Sequence, residues 1–103
     1  MSILGIDPGF GRCGWAVIGK DMDVRGYGVI ETAVSEPLED RLLHIHRDLT
    51  EIIRVHSPAV CGLEKLYVSK NTRTVINVAQ ALGVIVLTLR LNAIEYTEYT
   101  PTQ

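Results

Sequence analysis

The chain has 103 residues, 47% hydrophobic and 21% charged, with a formal net charge of −2. That length supports a single domain around one modest core, and that apolar content excludes an intrinsically disordered chain. The slight acidity excludes a global basic field, so any nucleic-acid contact has to come from a local patch or through metal ions.

Residues 2–7 (SILGID) are a short apolar run ended by Asp7-Pro8-Gly9, which reads as a strand followed by a turn. Residues 13–19 (CGWAVIG) read as a second strand, joined to the first by a link short enough for a hairpin. Residues 24–33 (VRGYGVIETA) read as a third strand, after the polar turn Lys20-Asp21-Met22-Asp23. The period then changes. Leu38, Leu42, Ile45, Leu49, Ile52 and Ile53 recur at helical spacing, with Ser35 and Pro37 where a helix start is expected and Ser57-Pro58 at its end. Residues 59–64 (AVCGLE) follow as a nearly continuous apolar strand, which suits a central, buried position. In the 72–91 window VIVLTL alone would pass for a strand, but Val75, Val78, Ala79, Leu82, Ile85, Val86 and Leu89 trace one helical stripe, so the segment is read as helix. Residues 93–97 (AIEYT) form a fifth strand, broken by Thr100-Pro101. The order β-β-β-α-β-α-β predicts one α/β domain over residues 1–103, a mixed sheet with an antiparallel edge. No repeat or linker divides it.

No apolar run approaches the ~20 residues of a membrane helix, and no charged leader with a small-residue cleavage site is visible. Cys13 and Cys61 form no C-x-x-C pair and are expected to be reduced, half-buried thiols of a cytoplasmic protein.

The first and fourth strands end alike. Ile3-Leu4-Gly5-Ile6-Asp7 and Val60-Cys61-Gly62-Leu63-Glu64 are both apolar runs with glycine two before a terminal carboxylate. If both strands run parallel in the sheet centre, Asp7 and Glu64 emerge side by side at its carboxyl edge, where open α/β sheets place their ligands. Two such carboxylates either share a proton or hold a cation between them. Oxygen-only ligands favour a hard ion such as Mg²⁺, and phosphodiester hydrolysis is a natural use of that site. Asp before Pro-Gly is also a common turn former, and Glu64 could simply begin a loop. Spacing alone leaves both readings open.

In context, GIDPGFGRCGWAVI, GLEKLYVSKN, VINVAQALGVIV and the closing EYTPTQ, in that order, resemble the RuvC-type Holliday junction resolvases, which have an RNase H-like fold. The resemblance spans essentially the whole chain. It implies a homodimeric, Mg²⁺-dependent endonuclease (Mn²⁺ serving as a substitute) that nicks four-way DNA junctions in recombination and repair, with a branch-migration helicase as partner. Asp7 and Glu64 match the first two catalytic, metal-binding carboxylates, and Tyr67 matches an aromatic placed near the junction centre, where it could stack on a base. The family continues beyond its EYTPTQ-like segment into a helix with two further acidic ligands, whereas no Asp or Glu follows Glu98 here. The 103 residues by themselves are therefore expected to lack the last helices of the fold and to be catalytically poor or inert.

Lys65, Lys70, Asn71 and Arg73 adjoin Glu64 and are candidate DNA contacts, with Arg12 in the turn after Asp7 a weaker one. The same loop also reads as a solvated helix start, with Asn71 or Thr72 as N-cap. Tyr67 reads equally as ordinary packing. His44, His46 and His56 are expected at the surface, the first two facing different directions on one helix. Gly5 and Gly62 either allow close strand-helix packing or merely weaken their strands. Three other functions remain to be separated: a DNA-binding or dimerising fragment without catalysis, an actin-like ATP-binding fold opened by the Asp-x-Gly turn, and an RNase H-like nuclease of the YqgF type acting on RNA. The chain is too short for two actin-like lobes, and the Glu64-Lys65-Leu66-Tyr67 loop argues against the last.

Overall fold

The computed structural model describes residues 1–65 and 72–100, the side chains of residues 72–74 excepted. Seven elements follow the expected order: β1 (Ile3–Asp7), β2 (Arg12–Ile18), β3 (Val24–Glu31), α1 (Leu38–His56), β4 (Val60–Glu64), α2 (Thr72–Leu91) and β5 (Glu95–Tyr99). They form one five-stranded sheet in the order β3-β2-β1-β4-β5. The first three strands are an antiparallel meander, and β4 and β5 add in parallel on the other side of β1.

Both crossover connections step in the same direction along the sheet, and α1 packs against α2 on one face. The alternate strand residues on that face, Leu4, Ile6, Cys13, Val17, Ile30, Cys61 and Leu63, are buried with Ile45, Leu49 and Ile53 of α1 and Ala81, Ile85 and Leu89 of α2. Strict alternation then directs Ile3, Gly5, Asp7, Gly14, Ala16, Val60, Gly62 and Glu64 to the other face. Among the described residues no helix covers it, and Tyr27 there is 78% exposed. Gly5 and Gly62 thus lie away from the helices, so close strand-helix packing is not their role.

The helix stripes follow the expected ones through Ile45, Leu49 and Ile53 of α1 and Ile85 and Leu89 of α2, and differ from them at flanking positions. On α1 the buried line is Arg41, Ile45, Leu49 and Ile53, with Leu38 exposed. On α2 it runs through Ala81, Ile85, Thr88 and Leu89, while Ala79 faces out. Pro37 itself occupies the N-cap of α1 without any side-chain cap, and Glu39 and Asp40 in the first turn complement the helix dipole instead. Ser57 ends α1 in the left-handed region (φ 44°), its N–H donating to the carbonyl of Ile53 at 2.8 Å.

The fifth strand begins two residues later than the 93–97 window, and the cause is the end of α2. Ala93 adopts φ 56°, and the N–H of buried Ile94 turns back to the carbonyl of Leu89 at 2.9 Å. Residues 93 and 94 are used to close the helix. The sheet is therefore joined only from Glu95.

The two cysteines are free and fully buried, not half-buried. The histidines are partnered: His44 bonds Asp48 at 3.0 Å, His46 bonds Thr88 at 2.8 Å, and His56 packs on Trp15 with ring centroids 5.7 Å apart. No helix among the described residues is long and apolar enough to cross a membrane.

Candidate functional site

Parallel pairing of β1 with β4 sets Ile3 against Val60 and Ile6 against Leu63. One residue further on, both strands deliver a carboxylate at the same edge of the same face. Asp7 and Glu64 are close enough to share a side-chain hydrogen bond, and this bond is the main reason that the Glu64 carboxyl is held above its ordinary pKa. Partial burial and the negative charge of Asp7 raise it further. The pair stands at the water boundary, with Asp7 exposed and Glu64 half-buried.

β5 contributes a third group that was not foreseen. Tyr99 pairs in register with Glu64, and its carbonyl accepts the N–H of Lys65 at 2.6 Å. Its ring lies across Gly62: a β-carbon added there would sit 3.5 Å from Cε1 and 3.8 Å from Cδ1. Burial, followed by the charges of Glu64, Asp7 and Cys61, raises the phenol pKa. A strand window placed two residues early hid Tyr99. The signal that would have found it is the alternation Glu95, Thr97, Tyr99. Gly5, Asp7, Gly14, Ala16 and Tyr99 line a shallow depression on the open face, floored by small residues.

The donor set is two carboxylates whose mutual repulsion only a proton or a cation relieves. Hard oxygen donors of that kind fit a hard divalent ion. Among the described residues no group of three or more His, Cys, Asp or Glu is arranged to hold a metal.

Of the candidate DNA contacts, Lys65 is exposed directly after Glu64. Arg12 begins β2 and pairs with Glu31 across the meander at 2.9 Å, both side chains largely exposed. An exposed pair of this kind contributes little and exchanges partners readily. Tyr67, Lys70 and Asn71 lie outside the described residues, as does the side chain of Arg73.

Over residues 3–103 the chain matches the family described as Crossover junction endodeoxyribonuclease RuvC. The chain belongs to the RuvC family. It is 44% identical over 106 residues to the crossover junction endodeoxyribonuclease RuvC of Brachyspira hyodysenteriae, a match covering all of this chain and 66% of that protein. To the RuvC of Caldicellulosiruptor saccharolyticus it is 42% identical, covering all of this chain and 64% of the relative. The chain thus spans about two thirds of the length of these curated relatives. The fold is shared with the T. thermophilus RuvC solved in complex with a Holliday junction substrate, at a TM-score of 0.93 and 22% identity over 99% of this chain and 66% of that one. A more distant likeness is the fowlpox virus resolvase solved with its substrate Holliday junction DNA, at a TM-score of 0.64 and 12% identity, covering 97% of this chain and 62% of that one. The five-stranded mixed sheet with two helices is therefore that of the RuvC family, as the four motifs implied.

Proposed function

We propose that residues 1–103 carry the first two acidic ligands of a metal-dependent endonuclease that cuts four-way DNA junctions. The observation behind this reading is that Asp7 and Glu64 leave neighbouring parallel strands at one edge of the sheet, close enough for Asp7 to raise the Glu64 pKa. Asp7 and Glu64 would hold a divalent ion, Mg²⁺ or Mn²⁺, which when bound activates water for attack on a phosphodiester and neutralises charge at the leaving oxygen. The chain's own residues do the rest. Lys65, Lys70, Asn71 and Arg73 hold phosphates beside the acids, and Arg12 exchanges Glu31 for a phosphate at the far side of the turn. Tyr67 stacks on a base at the junction, and the open, small-residue floor beside Asp7 lets the backbone approach.

Two equivalent strands call for two sites, so the working unit is a homodimer with α2 contributing to the contact, together with a branch-migration helicase in the cytoplasm. With two carboxylates alone the ion is held weakly, since affinity follows ligand number and charge. Residues 1–103 are expected to bind junction DNA and to nick it poorly.

The test uses a fluorescent four-way junction beside a linear duplex of the same sequence. Preference for the junction, with slow Mn²⁺-dependent nicking abolished by Asp7→Asn, is the expected result. Equal affinity for the two DNAs overturns the substrate assignment. Rapid nicking that Asp7→Asn abolishes shows instead that two carboxylates suffice.

A further inference from the structure

Arg41 is the one charged residue in the buried line of α1, only 9% exposed and surrounded by neighbours that are not its helix partners. Its guanidinium carbon lies 3.7 Å from the centroid of the Phe10 ring, and its Nε–H donates to Thr32 Oγ1 at 3.0 Å. Thr32, itself 8% exposed, passes the connection on: its hydroxyl donates to the carbonyl of Phe10 at 2.8 Å and its N–H to the carbonyl of Gly11 at 3.0 Å. Nη2 of Arg41 lies 3.5 Å from where a β-carbon on Gly11 would stand. The last two carbonyls of the turn between β1 and β2 are thus tied down, through Thr32, to a buried cation stacked on the same turn.

That turn decides where Asp7 stands. The ladder between β1 and β4 ends at Ile6 and Leu63, so Asp7 has no partner on that side and pairs only with Gly14 across the hairpin. Glu64 is secured differently, by its ladder pairing with Tyr99. Of the two acids, Asp7 is the one whose separation from its partner depends on the hairpin.

We propose that Arg41, acting through Thr32 and Phe10, is a positioning residue that clamps the Pro8–Gly11 turn and so sets Asp7 at the right distance from Glu64. Burying a guanidinium costs free energy unless its bonds are made. Here Nε bonds Thr32, which in turn holds the carbonyls of the turn, while the guanidinium stacks on Phe10. The proposal rests on the metal-site reading of Asp7 and Glu64, but its local mechanical part is measurable without a metal.

The experiment compares the 103-residue chain with Arg41→Gln, Thr32→Val and Thr32→Ser. One arm measures Mn²⁺ affinity by the loss of the free-ion EPR signal, with Asp7→Asn as reference. The other follows amide hydrogen exchange by NMR in residues 7–14 against α2. Arg41→Gln and Thr32→Val are expected to weaken Mn²⁺ binding about 10- to 100-fold, the range for outer partners of metal ligands. They should also speed exchange in the hairpin, reaching Gly14, while α2 stays protected. Thr32→Ser keeps the hydroxyl and should behave as the parent. Unchanged Mn²⁺ affinity, or exchange that rises equally throughout the fold, overturns the clamp and leaves Arg41 an ordinary core residue. If the parent binds Mn²⁺ no better than Asp7→Asn, the metal-site reading fails, and exchange confined to the hairpin and reaching Asp7 and Gly14 still decides the clamp. Should Arg41→Gln not fold, Thr32→Val carries the same comparison.

Discussion

Asp7→Asn is expected to stabilise the fold while removing its chemistry, and the two carboxylates set the size of the effect. A carboxyl whose folded pKa is raised, as that of Glu64 is by Asp7, adds stability that is fully present below the unfolded carboxyl value and is lost as pH rises through the folded one. At neutral pH and without metal, the negative charge of Asp7 works against the ionised form of Glu64. Two unit charges about 4 Å apart cost about 1 kcal/mol in a water-like dielectric and about 4 kcal/mol at the intermediate dielectric of a protein surface. Asp7 is exposed and Glu64 half-buried, so solvent screens the pair and the lower figure applies. In a domain of this size, about 1 kcal/mol corresponds to a Tm higher by about 4–8 °C. Thermal unfolding in EDTA at low salt should show that gain at neutral pH and lose it in acid, as the raised Glu64 carboxyl takes up its proton. Added Mn²⁺ should raise the Tm of the parent and not of the variant. A variant Tm equal to or below the parent's at neutral pH would refute the close approach of the two charges.

Three other measurements probe the frame of the site. Burial raises the thiol pKa values to about 11 for Cys13 and about 12 for Cys61, so native labelling by a disulfide reagent at about pH 8 should be slow and should become fast in urea; rapid native labelling contradicts their burial. By the same sign rule these thiols support the fold below about pH 9 and withdraw that support as pH rises toward 11, so urea midpoints should fall across that window. Thr88 is fully buried, and its hydroxyl donates to the carbonyl of Val84 while accepting from His46 Nδ1, both at 2.8 Å. Thr88→Val strands that N–H and should cost about 1–3 kcal/mol in urea unfolding, part of which His46→Leu should restore in the double variant; full additivity argues against the bridge. At Gly26 a β-carbon would stand 2.7 Å from His56 Cε1. Gly26→Ala should push the His56 ring off Trp15, the only tryptophan, and shift its emission with little loss of stability; an unchanged spectrum denies the contact.

Much of this protein was legible before any tertiary contact was known. Period-2 runs ended by turn residues marked the strands, a 3.6-residue period marked both helices, and the twin endings ILGID and VCGLE marked the two acids. These are local signals: hydrophobic spacing reports which face is buried, and a carboxylate after an apolar run reports a strand end at water. Boundaries were less visible. Nothing local says that residues 93 and 94 close α2, so β5 came two residues later and carried Tyr99 to the level of Glu64.

Arg41 shows the limit more sharply. Its place in the buried line of α1 looks polar and outward in sequence, because a cation is buried only when distant groups complete its bonds. Those groups, Phe10 and Thr32, lie 31 and nine residues away. The sequence by itself determined the elements, their order and the two acids. Only the tertiary structure decided that parallel pairing puts those acids side by side, that Tyr99 stands beside them, and that a buried arginine ties down the turn behind Asp7. The reason is that register and burial of charge depend on contacts between segments far apart in the chain, which no local spacing encodes.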